Sequence, residues 1–385
     1  MMELKDYQKR VLNQISAYIE QLNIKAEIKR KLTDVMGTQV PFNVPHEAWK
    51  AIGLDAAQYH PWKNGVAEDV PFICFKVPTG GGKTLLAAHS LGRIIIDAFH
   101  RQTGLILWVV PTTEIYRQTL RALRDKQHPY RQQLDQVSGN RVLILEKVDK
   151  FTPAQIASEL IVMILMLPSA NRSNQDTLRM FQGNGGFGAF FPPEDDVTGH
   201  ANLLNICSNL DCYNDPDPNM VPSKIVDPNM ILPKIVKPSL GNVVRLLHPT
   251  VILDEGHKAY SKVSRDTIKN LNPCFVLELT ATPQSEANVL ISVSGSELNR
   301  EQMIKLDLNV TYKVSPEWKD TLYAGVDKLG ELETAARDYQ SNGGAYIRPI
   351  CLVQVERTGR DQRDGQHIHA EDARDYLIAF CGIPD

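Results

Sequence analysis

Thr79, Gly80, Gly81, Gly82, Lys83 and Thr84 follow one another in the order that phosphate binding needs. Glycines let a backbone curl until its N–H groups point inward, and a helix that starts at Lys83 adds its positive N-terminal end. An ammonium at Lys83 then reaches terminal phosphates, and the Thr84 hydroxyl suits Mg²⁺. Val77 stands where the strict form of such a loop has a further glycine. A second run, Val251-Ile252-Leu253, ends in the adjacent carboxylates Asp254 and Glu255. Phosphoryl transfer calls for one carboxylate near the metal and a group that orients the attacking water. Asp254 suits the first task and Glu255 the second. A third apolar run from Phe275 ends in Thr280, Ala281, Thr282 and Pro283. Taken alone, the first run still favours a phosphate cradle over a glycine turn without a ligand, whereas the second reads as a solvated corner. Their joint occurrence favours phosphate chemistry.

These residues act together only if strand ends converge. Apolar runs of strand length precede each cluster and alternate with helical spacing, which predicts an α/β fold: a mainly parallel sheet covered by helices on both faces. Loops then gather at the carboxyl edge of the sheet, where open α/β folds bind ligands. In chain order, residues 3–35 read as one or two amphipathic helices, through Val11, Ile15, Tyr18, Ile19 and Leu22. Residues 37–69, with three prolines, read as a connector holding at most a short helix near His46–Ile52. A helix is expected over 83–99, a strand over Leu105–Val110, a helix over Glu114–Asp125, and strands at Leu143–Leu145 and Leu160–Leu167. Arg117, Arg121 and Arg124 share one helix face, which suits phosphate tracking as well as a plain solvated surface. From about 174 to 249 glycine, proline, asparagine and aspartate dominate, and Pro218–Asp227 is nearly repeated as Pro228–Lys237. This stretch reads as an insertion outside the core. Later expectations are a strand at Leu306–Val314, a helix at Trp318–Tyr339, a strand at Tyr346–Glu356 and a helix at Ala370–Phe380.

With 385 residues, 43% of them hydrophobic, the chain is long enough for two domains and a sizeable core. A net charge of −3, from 42 basic and 45 acidic residues, excludes a broadly basic nucleic-acid wrapper; such contacts must be local. The six cysteines are scattered and form no Cys-x-x-Cys pair, which points to a reduced cytoplasmic protein without structural zinc. No apolar run reaches membrane-spanning length, so no membrane partner is expected.

Thr-Gly-Gly-Gly-Lys-Thr at 79–84, Asp-Glu-Gly-His at 254–257 and Thr-Ala-Thr-Pro at 280–283 resemble, in that order, motifs I, II and III of superfamily-two helicases and translocases. Leu143–Phe151, Ser292–Lys305 and Pro349–Arg357 are further similar to the helicase (Res) subunit of type III restriction enzymes. The resemblance implies a RecA-like P-loop NTPase lobe over 70–315, preceded by an N-terminal helical extension over 1–69. A helical linker over 316–344 and the truncated start of a second RecA-like lobe over 345–385 would follow. It implies ATP, held by Thr79, Gly80, Gly81, Gly82, Lys83 and Thr84 with Gln8 on the adenine edge, Mg²⁺ on Thr84 and Asp254, and Glu255, Lys83 and Asp254 as the catalytic residues. His257, Thr280 and Thr282 would couple hydrolysis to strand movement. Pro111, Thr112, Ser169 and Arg172 would touch nucleic acid, with double-stranded DNA the polymer that the subgroup favours. A missing C-terminal half or a modification (methyltransferase) subunit is the implied protein partner. Arg357–Arg363 imitates the arginine-finger motif VI, but it follows the expected first strand of the second lobe directly, too early for that role. On this reading motifs V and VI are absent, and the chain is a weakly active or inactive fragment of a helicase. The alternative is a non-motor ATP-binding switch or scaffold. A P-loop kinase would have no use for the second and third motifs.

Overall fold

The computed structural model describes residues 3–38, 40–166, 186–213, 234–255, 262–303, 317–359 and 361–383. By contact density the chain divides into two compact units, Met1–Lys305 and Leu306–Asp385.

The first unit is built on a seven-stranded sheet of β1 (Phe72–Lys76), β2 (Gly104–Val110), β3 (Val142–Glu146), β4 (Leu160–Met166), β5 (Thr250–Asp254), β6 (Phe275–Thr280) and β7 (Val289–Ser292). Its order is β3-β4-β2-β5-β6-β1-β7, and every pairing is parallel. Central strands of such a sheet are covered on both sides, which explains runs without polar alternation such as Leu160–Met166. In β2, Ile106, Trp108 and Val110 enter one core. Leu105, Leu107 and Val109 enter the other, as a side-chain period of two requires.

Helices α1 (Asp6–Met36), α3 (Lys83–Arg93) and α5 (Pro129–Ser138) contribute Val11, Leu91 and Leu134 to the first core. α1 is a single helix, buried from Tyr7 to Leu22 along one face. The connector holds α2 (Val44–Ala51), which starts with Asn43 accepting from the His46 N–H. α3 runs on through a π-helical turn, Ile94–Ala98. The expected helix after β2 is α4 (Thr113–Arg124). α5 and α6 (Pro153–Ser158) escaped the sequence reading: both are short and begin at proline, and α6 buries no residue fully, so neither shows an apolar period.

The other face is covered by the helix Leu240–Leu247 and by Ile268 of the helix Lys262–Asn270, with Phe151 and Phe187 alongside. Val243 and Val244 are fully buried. The end of the stretch read as an insertion is therefore core, supplying the crossover helix that a parallel β5 needs. Composition averaged over 174–249 hides this eight-residue helix, and the helix Val197–Ile206 before it, behind many turn residues. β7 was also missed, because four residues are too few for a pattern. The expected strand at Leu306–Val314 lies outside the described residues, as does the near-repeat Pro218–Lys237 except for its last four residues.

In the second unit the helices Trp318–Ser341 and Ala370–Cys381 form as expected, with Trp318 and Tyr376 packed edge to face at 5.8 Å. The strand expected at Tyr346–Glu356, the opening of a second lobe, does not form. Ile347, Ile350 and Leu352 are exposed, and the nearest strand-like pairing is one bridge between Arg357 and His369. A lone strand has no ladder to satisfy its backbone, whatever its propensity.

Candidate functional site

β1 ends beneath the glycine loop, and its neighbours fix where that loop starts. Lys76 lies opposite Thr280 of β6, and the Val77 N–H donates to the Thr280 carbonyl at 2.9 Å. On the other side the Val293 N–H donates to the Lys76 carbonyl at 2.8 Å. Val77, at the position where the strict pattern has glycine, is a fully buried core side chain. Its Cγ1 lies 2.6 Å from where a Cβ on Gly81 would stand, so the chain needs glycine at 81. Gly82 has φ +72° and caps α3 without any side-chain bond, which leaves the first N–H groups of that helix uncapped by a side chain. Such a helix end attracts anions.

The carboxylates arrive on β5, which pairs with the far side of β6 so that Asp254 lies opposite Leu279. Lys83 Nζ and Glu255 Oε1 are 2.9 Å apart, and the Thr84 hydroxyl donates to Asp254 Oδ2 at 3.2 Å. Lys83 and Asp254 are only 8% and 6% exposed. Burial pushes the Asp254 carboxyl above its ordinary range; the Thr84 hydroxyl and the Lys83 charge pull the other way, while Glu255 adds to the rise. Glu255 has φ +53°, a conformation that costs a non-glycine residue roughly 1–2 kcal/mol. Strain of this kind collects at functional sites. The result is a cation, a helix N-terminus and an oxygen-only hydroxyl–carboxylate pair within a few ångströms. This set suits a phosphate chain together with a hard divalent cation. Thr84 and Asp254 are the residues able to hold that cation.

Thr79 and Gly80 are exposed on the loop. Gln8 is 1% exposed. Its Oε1 accepts from the Lys5 N–H at 3.0 Å, and its Nε2 donates to the Tyr7 hydroxyl at 3.2 Å and lies against Gly82. Thr280 is buried, and its hydroxyl accepts from the N–H of the exposed Thr282 at 3.2 Å. Pro111 and Thr112 follow β2 at the same edge of the sheet, where the Thr112 hydroxyl caps α4 by accepting from the Ile115 N–H. Arg117, Arg121 and Arg124 are exposed, the last paired with Glu146 at 3.0 Å. His257, Ser169 and Arg172 lie outside the described residues. Arg363 of the finger-like run is bound to Asp372 and Asp375 beside its own helix. Sequence reading overlooked Tyr7 and Glu301 at the loop; nothing in a chain separation of 294 residues announces that they meet.

Residues 1–182 match the family model for the type III restriction enzyme, res subunit. The match includes the glycine loop and Gln8 and stops short of β5, so Asp254 and Glu255 stand on geometry and motif. No curated protein matches the chain. Among the described residues no helix is long and apolar enough to cross a membrane.

Proposed function

We propose, from the premise that residues 1–182 belong to the type III restriction enzyme res-subunit family, that this chain supplies the ATP-binding motor lobe of a DNA helicase or translocase. The carrying observation is the meeting of Lys83 with Glu255, and of Thr84 with Asp254, from strands on opposite sides of β6. On this reading the loop Thr79–Gly82 wraps the phosphates with backbone N–H groups, and ATP is hydrolysed to ADP and phosphate. Mg²⁺, when bound, would neutralise charge that develops on the phosphates during transfer. Thr84 and Asp254 would hold it. Lys83 exchanges its Glu255 partner for phosphate oxygens, and the released carboxylate orients the attacking water and takes its proton. Gln8, packed on Gly82, is assigned the adenine edge.

On this reading residues 1–69 are the helical extension, 70–315 the motor lobe, 316–344 the linker and 345–385 the start of a second lobe. Double-stranded DNA would cross the carboxyl edge near Pro111 and Thr112, with Arg117 and Arg121 adding phosphate contacts, and the family resemblance adds Ser169 and Arg172 to the DNA-contacting residues. His257, Thr280 and Thr282 would link that strand to the nucleotide, and a modification subunit would be the protein partner.

MgATP binding, and turnover with and without duplex DNA, test the assignment. Lys83→Ala should weaken MgATP binding by about 10–100-fold, the range for charge-assisted hydrogen bonds. Glu255→Gln should keep binding and lower any DNA-stimulated turnover by about 10²-fold or more, as loss of a general base does. A Glu255→Gln protein hydrolysing at the parent rate would overturn the role of that residue.

A further inference from the structure

The glycine loop is held from behind by the start of α1. The Tyr7 hydroxyl donates to the Gly81 carbonyl at 3.0 Å in a buried position. A trans peptide is planar, so its C=O and the following N–H point in opposite directions. Fixing the Gly81 carbonyl towards Tyr7 therefore aims the Gly82 N–H the other way. Burial raises the Tyr7 phenol above its usual range, which keeps it protonated and able to donate.

Tyr7 is itself placed from far along the chain. It is the second residue of α1, whose N-cap is Lys5, a side chain that offers no oxygen to the first N–H groups. Glu301 takes that place: its two carboxylate oxygens accept from the Asp6 and Tyr7 N–H groups, each at 3.0 Å. A carboxylate there also meets the positive end of the helix. The same segment grips α1 again through Arg10, which binds Glu297 at 2.6 Å and the Ser292 carbonyl at 3.2 Å. Leu298 stands 3.3 Å from where a Gly81 Cβ would be. Gly81 is thus clasped between Tyr7 on α1 and the segment that caps α1.

We infer that Tyr7 and Glu301 are positioning residues for the phosphate loop: Glu301 fixes the start of α1, Tyr7 fixes the Gly81–Gly82 peptide, and that peptide presents its N–H to phosphate. This rests on the nucleotide-binding reading above and adds a route by which Ser292–Met303 controls phosphate affinity.

The test is a double-mutant cycle on the full chain with Tyr7→Phe, Glu301→Gln and the pair, measuring dissociation constants for MgATP and for Mg-tripolyphosphate. Tripolyphosphate has no base, so it reports the loop without Gln8. Each single variant should weaken both ligands by about tenfold, the scale of one lost hydrogen bond. The pair should be no weaker than the worse single variant, because both act through one peptide. Tyr7→Phe should melt within a few degrees of the parent, which separates positioning from unfolding. If the parent binds MgATP and Tyr7→Phe binds both ligands equally well, the inference fails while nucleotide binding stands. Additive losses would remove Glu301 from the route. A parent that binds neither ligand, like Lys83→Ala, would remove the nucleotide reading and this inference with it.

Discussion

A buried carboxyl and a crowded glycine carry the two sharpest consequences at the level of single residues. Asp254 has its folded pKa raised above the ordinary aspartate value, chiefly by burial. A raised folded value means that the fold favours the protonated form. That contribution is fully present below the ordinary pKa and is lost as pH rises through the folded value, so near neutrality the ionised group costs stability. Asp254→Asn should therefore raise the melting temperature of the nucleotide-free protein at pH 7. The gain should vanish in acid, and a melting curve lower than the parent's at pH 7 would contradict it. The same substitution should remove the Mg²⁺-dependent part of ATP affinity. Gly81 has its missing Cβ hemmed in by Val77, the Pro78 carbonyl and Leu298. Gly81→Ala should cost about 1–3 kcal/mol, as overpacking does. Val77→Ala in the same chain should recover part of it, readable by urea denaturation; additive losses would mean that Val77 is not the obstacle.

Helix starts are the elements that organise this edge of the sheet. α3 begins at a left-handed glycine without a side-chain cap, which suits a ligand. α4 begins one residue after Thr112, whose hydroxyl is engaged as its cap. The motif position assigned to nucleic acid thus has a structural duty as well. Thr112→Ala should lower stability by about 1 kcal/mol, and Thr112→Asn should restore it, since asparagine is an equally good cap. DNA affinity measured on Thr112→Asn then reports the hydroxyl's contact with the polymer apart from the helix it starts. α1 begins at a residue that cannot cap, and the deficit is met by Glu301, tying the first helix of the unit to its last described segment.

On the scale of the whole molecule, the described residues that form the cores on the two faces of the sheet run no further than Met303, and every described site residue lies in the same unit. A fragment of residues 1–305 should fold cooperatively and bind MgATP within about threefold of the full chain, a difference of less than 1 kcal/mol. Calorimetric titration of both would show it; loss of binding in the fragment would mean that Leu306–Asp385 contributes to the nucleotide site.

Local signals were strong where a run of apolar residues met a glycine turn or a pair of acids. Phe72–Thr84, Val251–Glu255 and Phe275–Pro283 were legible as strand and tip, because a central parallel strand writes itself as an unbroken apolar stretch. α5, α6 and β7 were not legible, being too short to show a period. Tyr346–Glu356 carries strand-like residues yet remains unpaired, since a strand depends on neighbours that its own residues do not encode. The sequence by itself determined the α/β sheet, its apolar central strands and the order of their tips along the chain. Only the tertiary structure decided that Val77 is core, that Leu240–Leu247 covers the sheet, and that Glu301 and Tyr7 stand behind the phosphate loop. Those facts depend on parallel register and on contacts between residues hundreds of positions apart, which no local pattern in the chain can specify.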